Sequence, residues 1–143
     1  MNRQSRADAG FTVLELLVVI GVAMVLMGIA VPSFSSWLPT LRLSAAARQV
    51  FADLRVARMK AISQNTNFQL TFNGSSYVVQ RCAGTCTNDS GNILLPDGIT
   101  VSTSGTPLFL PRGTANNSVT ITLSNGVQSR QVQVTPVGRV RII

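Results

Sequence analysis

Hydrophobic positions divide the chain into three regimes. From Phe11 to Val31 apolar residues run without a period, 21 residues holding one ionisable group, Glu15. As a helix at about 1.5 Å per residue this stretch reaches roughly 31 Å, the thickness of a bilayer's hydrocarbon core. A segment in lipid must satisfy its backbone internally, so it is expected to be a helix. Gly21 and Gly28 share one face of it and would let neighbouring helices approach closely. From Leu41 to Gln64 the period is helical again. Leu43, Ala47, Val50, Leu54, Ala57 and Ala61 recur at intervals of four and three, Phe51 and Ile62 widen the stripe, and Arg48, Arg55 and Lys60 fall largely off it. This predicts an amphipathic helix laid on a sheet. Between the two stretches Pro32 and Pro39 each remove a backbone donor, and the helix is expected to kink or loosen there. Trp37, between the prolines, suits a membrane interface or packing on the following domain.

After Asn65 the period changes to two. Strand candidates are 67–73, 76–81, 99–103, 107–110, 118–123 and 127–134. Asn73-Gly74 and Asn125-Gly126 are hairpin signals, and Pro96-Asp97-Gly98 and Pro111-Arg112-Gly113 mark loops. The fold class expected is α+β: a long N-terminal transmembrane helix, then a second amphipathic helix on a mostly antiparallel β-sheet head.

Composition narrows the chemistry. Residues 32–143 are too polar to span a membrane again and can build one modest core. They carry ten basic residues against Asp53, Asp89 and Asp97, a net +7, which favours nucleic acid, anionic lipid or an acidic protein partner, or is a solubility surface. There is no histidine, which removes His-based triads and imidazole metal ligands. Three scattered aspartates and two cysteines do not make a hydrolytic or metal centre. A binding or structural protein is expected, not an enzyme, with no cofactor and no metal.

The junction ahead of the apolar run is specific. A polar leader with Arg3, Arg6 and Asp8 ends at Gly10-Phe11-Thr12, and Glu15 follows four residues into the run. This resembles the N-terminal signature of type IV pilins and type II secretion pseudopilins. The resemblance implies that a prepilin peptidase cuts between Gly10 and Phe11 and that Phe11 becomes N-methylated. It also implies that Glu15 of one subunit neutralises the Phe11 amine of a neighbour in a filament core, since a buried amine and a buried carboxylate are each costly alone and tolerable when paired. A snorkelling glutamate in a plain signal anchor is the bland alternative. A secretory signal peptide cleaved after Gly28-Ile29-Ala30, leaving Val31 first, is the rival.

Further along, Leu95-Pro96-Asp97-Gly98-Ile99, Phe109-Leu110-Pro111-Arg112-Gly113 and the tail Gly138-Arg139-Val140-Arg141 together resemble the GspH/FimT family of minor pilins and pseudopilins. That resemblance implies a leader at 1–10, a transmembrane or filament-core helix at 11–31 and a periplasmic β-rich head at 32–143 containing the helix 41–64. It implies a bacterial inner-membrane protein, N-terminus cytoplasmic, which moves into a pilus or pseudopilus near its tip. Its partners would be other major or minor pilins, the prepilin peptidase and the inner membrane. The leader arginines fit that orientation. In an oxidising periplasm Cys82 and Cys86 are expected to pair, which would pin a short loop by roughly 2 kcal/mol; free thiols are the alternative.

The tail carries a second possibility, binding of double-stranded DNA. If residues 137–143 are extended, Arg139 and Arg141 fall on one side about 7 Å apart, a spacing suited to successive phosphates. In relatives active in natural transformation a Gly-Arg-x-Arg tail is implicated in DNA binding; the matching positions here are Gly138, Arg139 and Arg141, with Arg130 and Arg112 as further cationic candidates. An edge strand guarded by charge against aggregation is the alternative.

Overall fold

The computed structural model describes residues 11–143, with the side chains of 29–36 left aside. The leader 1–10, and with it Arg3, Arg6 and Gly10, lies outside the described residues. Helix α1 runs from Val13 to Ser63, and the chain falls into two units, Met1–Trp37 and Leu38–Ile143.

Thr12 starts the helix. Its hydroxyl accepts from the Glu15 backbone N–H at 3.2 Å, and its carbonyl accepts from the Leu16 N–H at 3.1 Å. Thr12 thus serves as the N-cap of the helix. In the first unit the helix is apolar on every side, and the large side chains from Phe11 to Met27 are exposed. Among the described residues no helix is long and apolar enough to cross a membrane.

The helical assignment passes through Pro32 and Pro39, so both expected helices are present as parts of one element. Each proline removes one i→i−4 bond without ending the element. It ends at a Schellman motif: Asn65 takes φ +48°, and Thr66 N–H reaches back to the Ala61 carbonyl at 3.2 Å.

In the second unit the core face of α1 is Leu43, Ala46, Ala47, Val50, Leu54, Ala57 and Ala61, all buried. Phe51 is partly buried against that core, while Ile62 is half exposed, at the margin rather than in the stripe as expected. Nine strands follow. One sheet holds β3 (Thr85–Asn88), β2 (Ser76–Ala83), β1 (Asn67–Asn73) and β6 (Leu108–Phe109) in that order, with β4 (Ile93–Leu94) also paired to β2. The other runs β5 (Thr100–Thr103), β7 (Val119–Ser124), β8 (Ser129–Val134) and β9 (Val140–Ile142). Every pairing is antiparallel. Period-two alternation puts Phe68 and Leu70 of β1, Val119, Ile121 and Leu123 of β7, and Val132 and Val134 of β8 into one core with the helix.

The hairpins differ in detail from expectation. Asn73 pairs with Ser76, so the β1–β2 turn is Gly74-Ser75. The β7–β8 loop spans four residues instead of two, because the Asn125 side chain caps it, accepting from Val127 N–H at 3.0 Å and Gln128 N–H at 2.7 Å. Val127, expected in the strand, is 92% exposed.

Tyr77 ties sheet to helix. Its ring is fully buried and its hydroxyl donates to Asp53 of α1. Burial first, and the adjacent Asp53 carboxylate second, push the phenol well above its ordinary range.

Candidate assembly helix and nucleic-acid surface

Phe11 and Glu15 stand at the start of α1, both exposed. No side chain among the described residues forms an ion pair with Glu15. Because only its backbone N–H serves the cap, its carboxylate is available to a partner.

The two head motifs singled out by sequence meet. Leu110-Pro111-Arg112-Gly113-Thr114 and Thr135-Pro136-Val137-Gly138-Arg139 are built alike. In each, proline holds the second position, and the glycine N–H bonds back to the first residue's carbonyl at 2.8 Å. The first residue's N–H then reaches the fifth carbonyl, at 2.8 Å for Leu110 to Thr114 and 2.9 Å for Thr135 to Arg139. Both glycines take left-handed φ, +79° and +78°. They also touch: a Cβ on Gly138 would lie 1.9 Å from the Gly113 carbonyl oxygen and 2.9 Å from Arg58 Nε. Arg58, from α1, donates that Nε–H to the Gly113 carbonyl at 2.7 Å. Gly138 is therefore buried and positions its neighbour, while Arg112 and Arg139 stand exposed on the two turns.

The tail is less extended than expected. Only Val140–Ile142 forms a strand, and the turn at Gly138 leaves Arg139 outside it. Arg141 sits opposite Gln133 and donates both Nε–H (2.8 Å) and an Nη2–H (2.6 Å) to the Gln133 Oε1. Arg130 is not brought to these residues. It pairs across β7 with buried Leu123 and belongs to the strand face of Val132 and Val134, lining a small cleft with Ser44 and Arg48 of the helix. Arg141, at the register of Gln133, faces the other way. Cys82 and Cys86 form a disulfide across the β2–β3 register, on the exposed end of that hairpin.

Sequence reasoning did not find the Thr12 cap, the Tyr77–Asp53 link, the second Pro-x-Gly turn or Arg58. The first and third were readable as Thr-x-x-Glu and Thr-Pro-Val-Gly. The other two depend on tertiary placement alone.

A helix apolar on all sides, continuing into a helix that covers an antiparallel β head, defines the pilin class. The family model for type II transport protein GspH matches residues 46–138, and that for the prokaryotic N-terminal methylation motif matches residues 5–31. The chain belongs to the GspH family, among minor pilins and pseudopilins of the type IV pilus or type II secretion. Among solved structures it is similar to the type IV minor pilin FimU of Pseudomonas aeruginosa (TM-score 0.62, 19% identity, 71% of this chain and 87% of that one). It is likewise similar to the minor pseudopilin EpsH of the Vibrio cholerae type 2 secretion system (TM-score 0.61, 12% identity, 71% and 96%). At these identities the two likenesses carry the fold. Curated protein sequences give no match.

Proposed function

We propose that the chain is a minor subunit that primes or caps the tip of a type IV pilus or type II pseudopilus. In this reading residues 1–10 are removed between Gly10 and Phe11, 11–31 anchor the protein in the inner membrane and then enter the filament core, and 32–143 form the periplasmic head. The observation that supports it is the first half of α1. An all-round apolar helix with exposed side chains is stable only when lipid or other helices cover it. Glu15 then meets the Phe11 amine of a neighbour.

The test is incorporation into sheared filaments by the full chain. Glu15→Ala is expected to insert and fold but to incorporate poorly, because the Thr12 cap uses a backbone N–H that alanine keeps. Thr12→Val removes the cap at about 1 kcal/mol and keeps the carboxylate, so it is expected to incorporate. Normal incorporation of Glu15→Ala overturns the pairing. The mature protein is expected to begin at N-methylated Phe11, and a start at Val31 overturns the reading as a whole.

A second reading, DNA binding with a role in natural transformation, is supported by the contact of the two glycine turns, which brings Arg112 and Arg139 to one exposed region. With Arg112, Arg139 and Arg141 engaged, the slope of log K against log salt is expected at about −2 to −3, roughly −0.9 per phosphate. Replacing Arg139 and Arg141 together is expected to flatten it by about 2. Binding unchanged by that pair, or absent at low salt, leaves the assembly reading alone.

A further inference from the structure

Between α1 and the Gly138 turn lies a cleft of about 220 Å³ whose lining includes Phe51, Arg55 and Arg58 from the helix, Val137 and Arg139 from the turn, and Val140 from the start of β9. Three arginines from two elements converge on it, and two are held in place. Arg58 is half-buried and fixed by its bond to the Gly113 carbonyl. Arg55 lies over the Phe51 ring, 5.5 Å from its centroid. Nothing in the head neutralises them. Among the described residues the one ion pair is Lys60–Asp89, and Asp53 accepts from Tyr77. The remaining aspartate, Asp97, forms no ion pair.

We propose that this cleft receives an acidic side chain, aspartate or glutamate, presented by a neighbouring subunit of the assembly; the proposal rests on the assembly reading above. Planar guanidiniums fixed before binding donate to a carboxylate in a forked geometry with little ordering cost. The Phe51, Val137 and Val140 walls suit the methylene stem of such a side chain. A DNA duplex fits the recess less well. Its phosphates lie on the outside of a stiff cylinder and are met by protruding side chains such as Arg112, not by a half-buried arginine tethered in the lining of a cleft.

The full chain in detergent micelles is titrated with a fluorescent hexaglutamate peptide, its hexaglutamine counterpart and a short random duplex. Arg58 is left in place because Gly113 depends on it. R55E/R139E is compared with R42E/R81E, which makes the same charge change at exposed positions away from the cleft. Hexaglutamate is expected to bind and hexaglutamine not to. The first pair is expected to weaken binding about tenfold or more, and the second less than about twofold, with circular dichroism unchanged in both. Equal weakening by both pairs, no hexaglutamate binding, or a duplex that binds more tightly through the same pair overturns the proposal. In cells, R55E/R139E is expected to be lost from the filament fraction while R42E/R81E is retained. Wild-type protein absent from that fraction overturns the assembly reading itself. Wild type and R55E/R139E present equally overturn the cleft and leave assembly standing.

Discussion

The two halves of α1 share a secondary structure and little else. From Val13 to Met27 the side chains, Glu15 apart, are apolar in every direction and largely uncovered; from Leu43 to Ala61 one stripe is buried and the opposite face is charged. The second half is stabilised within the chain, by a core shared with both sheets. The first half has no such core, and its covering must come from outside. Length and helix propensity do not separate these halves; periodicity does. A stripe says that the partner surface lies on one side, and its absence says that the partner surrounds the helix. This member of the GspH family thus carries one self-sufficient head and one apolar segment that needs a covering from outside the head.

The sharpest way to break this comparison is one substitution in each half. Leu54→Ala removes a fully buried side chain and is expected to destabilise the head by about 2–5 kcal/mol in denaturant unfolding of the full chain in micelles. Leu17→Ala is expected to shift the same transition by less than about 0.5 kcal/mol, because its side chain contributes nothing to the head's core. Equal effects would mean that the two halves unfold as one body.

The glycine turns give the next largest effect. Gly138→Ala combines left-handed strain with a collision against the Gly113 carbonyl, for about 2–4 kcal/mol. Gly74→Ala has similar φ but open space, so only the strain remains, about 1–2 kcal/mol. Breaking the Cys82–Cys86 disulfide, which closes a short loop on one exposed hairpin, is expected to cost no more than about 2 kcal/mol and to leave the core transition cooperative.

Much of this was legible and some was not, for physical reasons. Both helical periods and most strands are local patterns, so Leu43 to Ala61 and the alternation of β7 and β8 were readable from spacing. Pro32 and Pro39 do not divide the helix into two elements, because the loss of one backbone bond at a proline is a local cost. The tail misled because extension was assumed through Gly138, although Pro136 two residues earlier marked a turn. The strand face of Arg130 follows from its alternation with Val132 and Val134 and was readable within β8. Arg58's place depends on two turns meeting, which no single segment encodes.

The smallest effect is the most selective. Tyr77 is the sole tyrosine of the chain, so tyrosinate absorbance reads this phenol alone. Its folded pKa is raised, by burial and then by Asp53. The stability tied to its proton is therefore fully present below about pH 10, the pKa of an unfolded tyrosine, and is lost as pH rises above it, at up to about 1.4 kcal/mol per unit. In the folded chain tyrosinate is expected to appear together with loss of the head's circular dichroism, not ahead of it. Tyr77→Phe is expected to lose about 1–2 kcal/mol at neutral pH, through the hydrogen bond to Asp53, and to remove the tyrosine-linked part of the alkaline slope expected of wild type. Because this residue belongs to the core shared by sheet and second helical half, its titration should be indifferent to the first half. The same Tyr77 transition in Leu17→Ala as in wild type would sharpen the division. A shifted one would show that the apolar segment holds the head together after all.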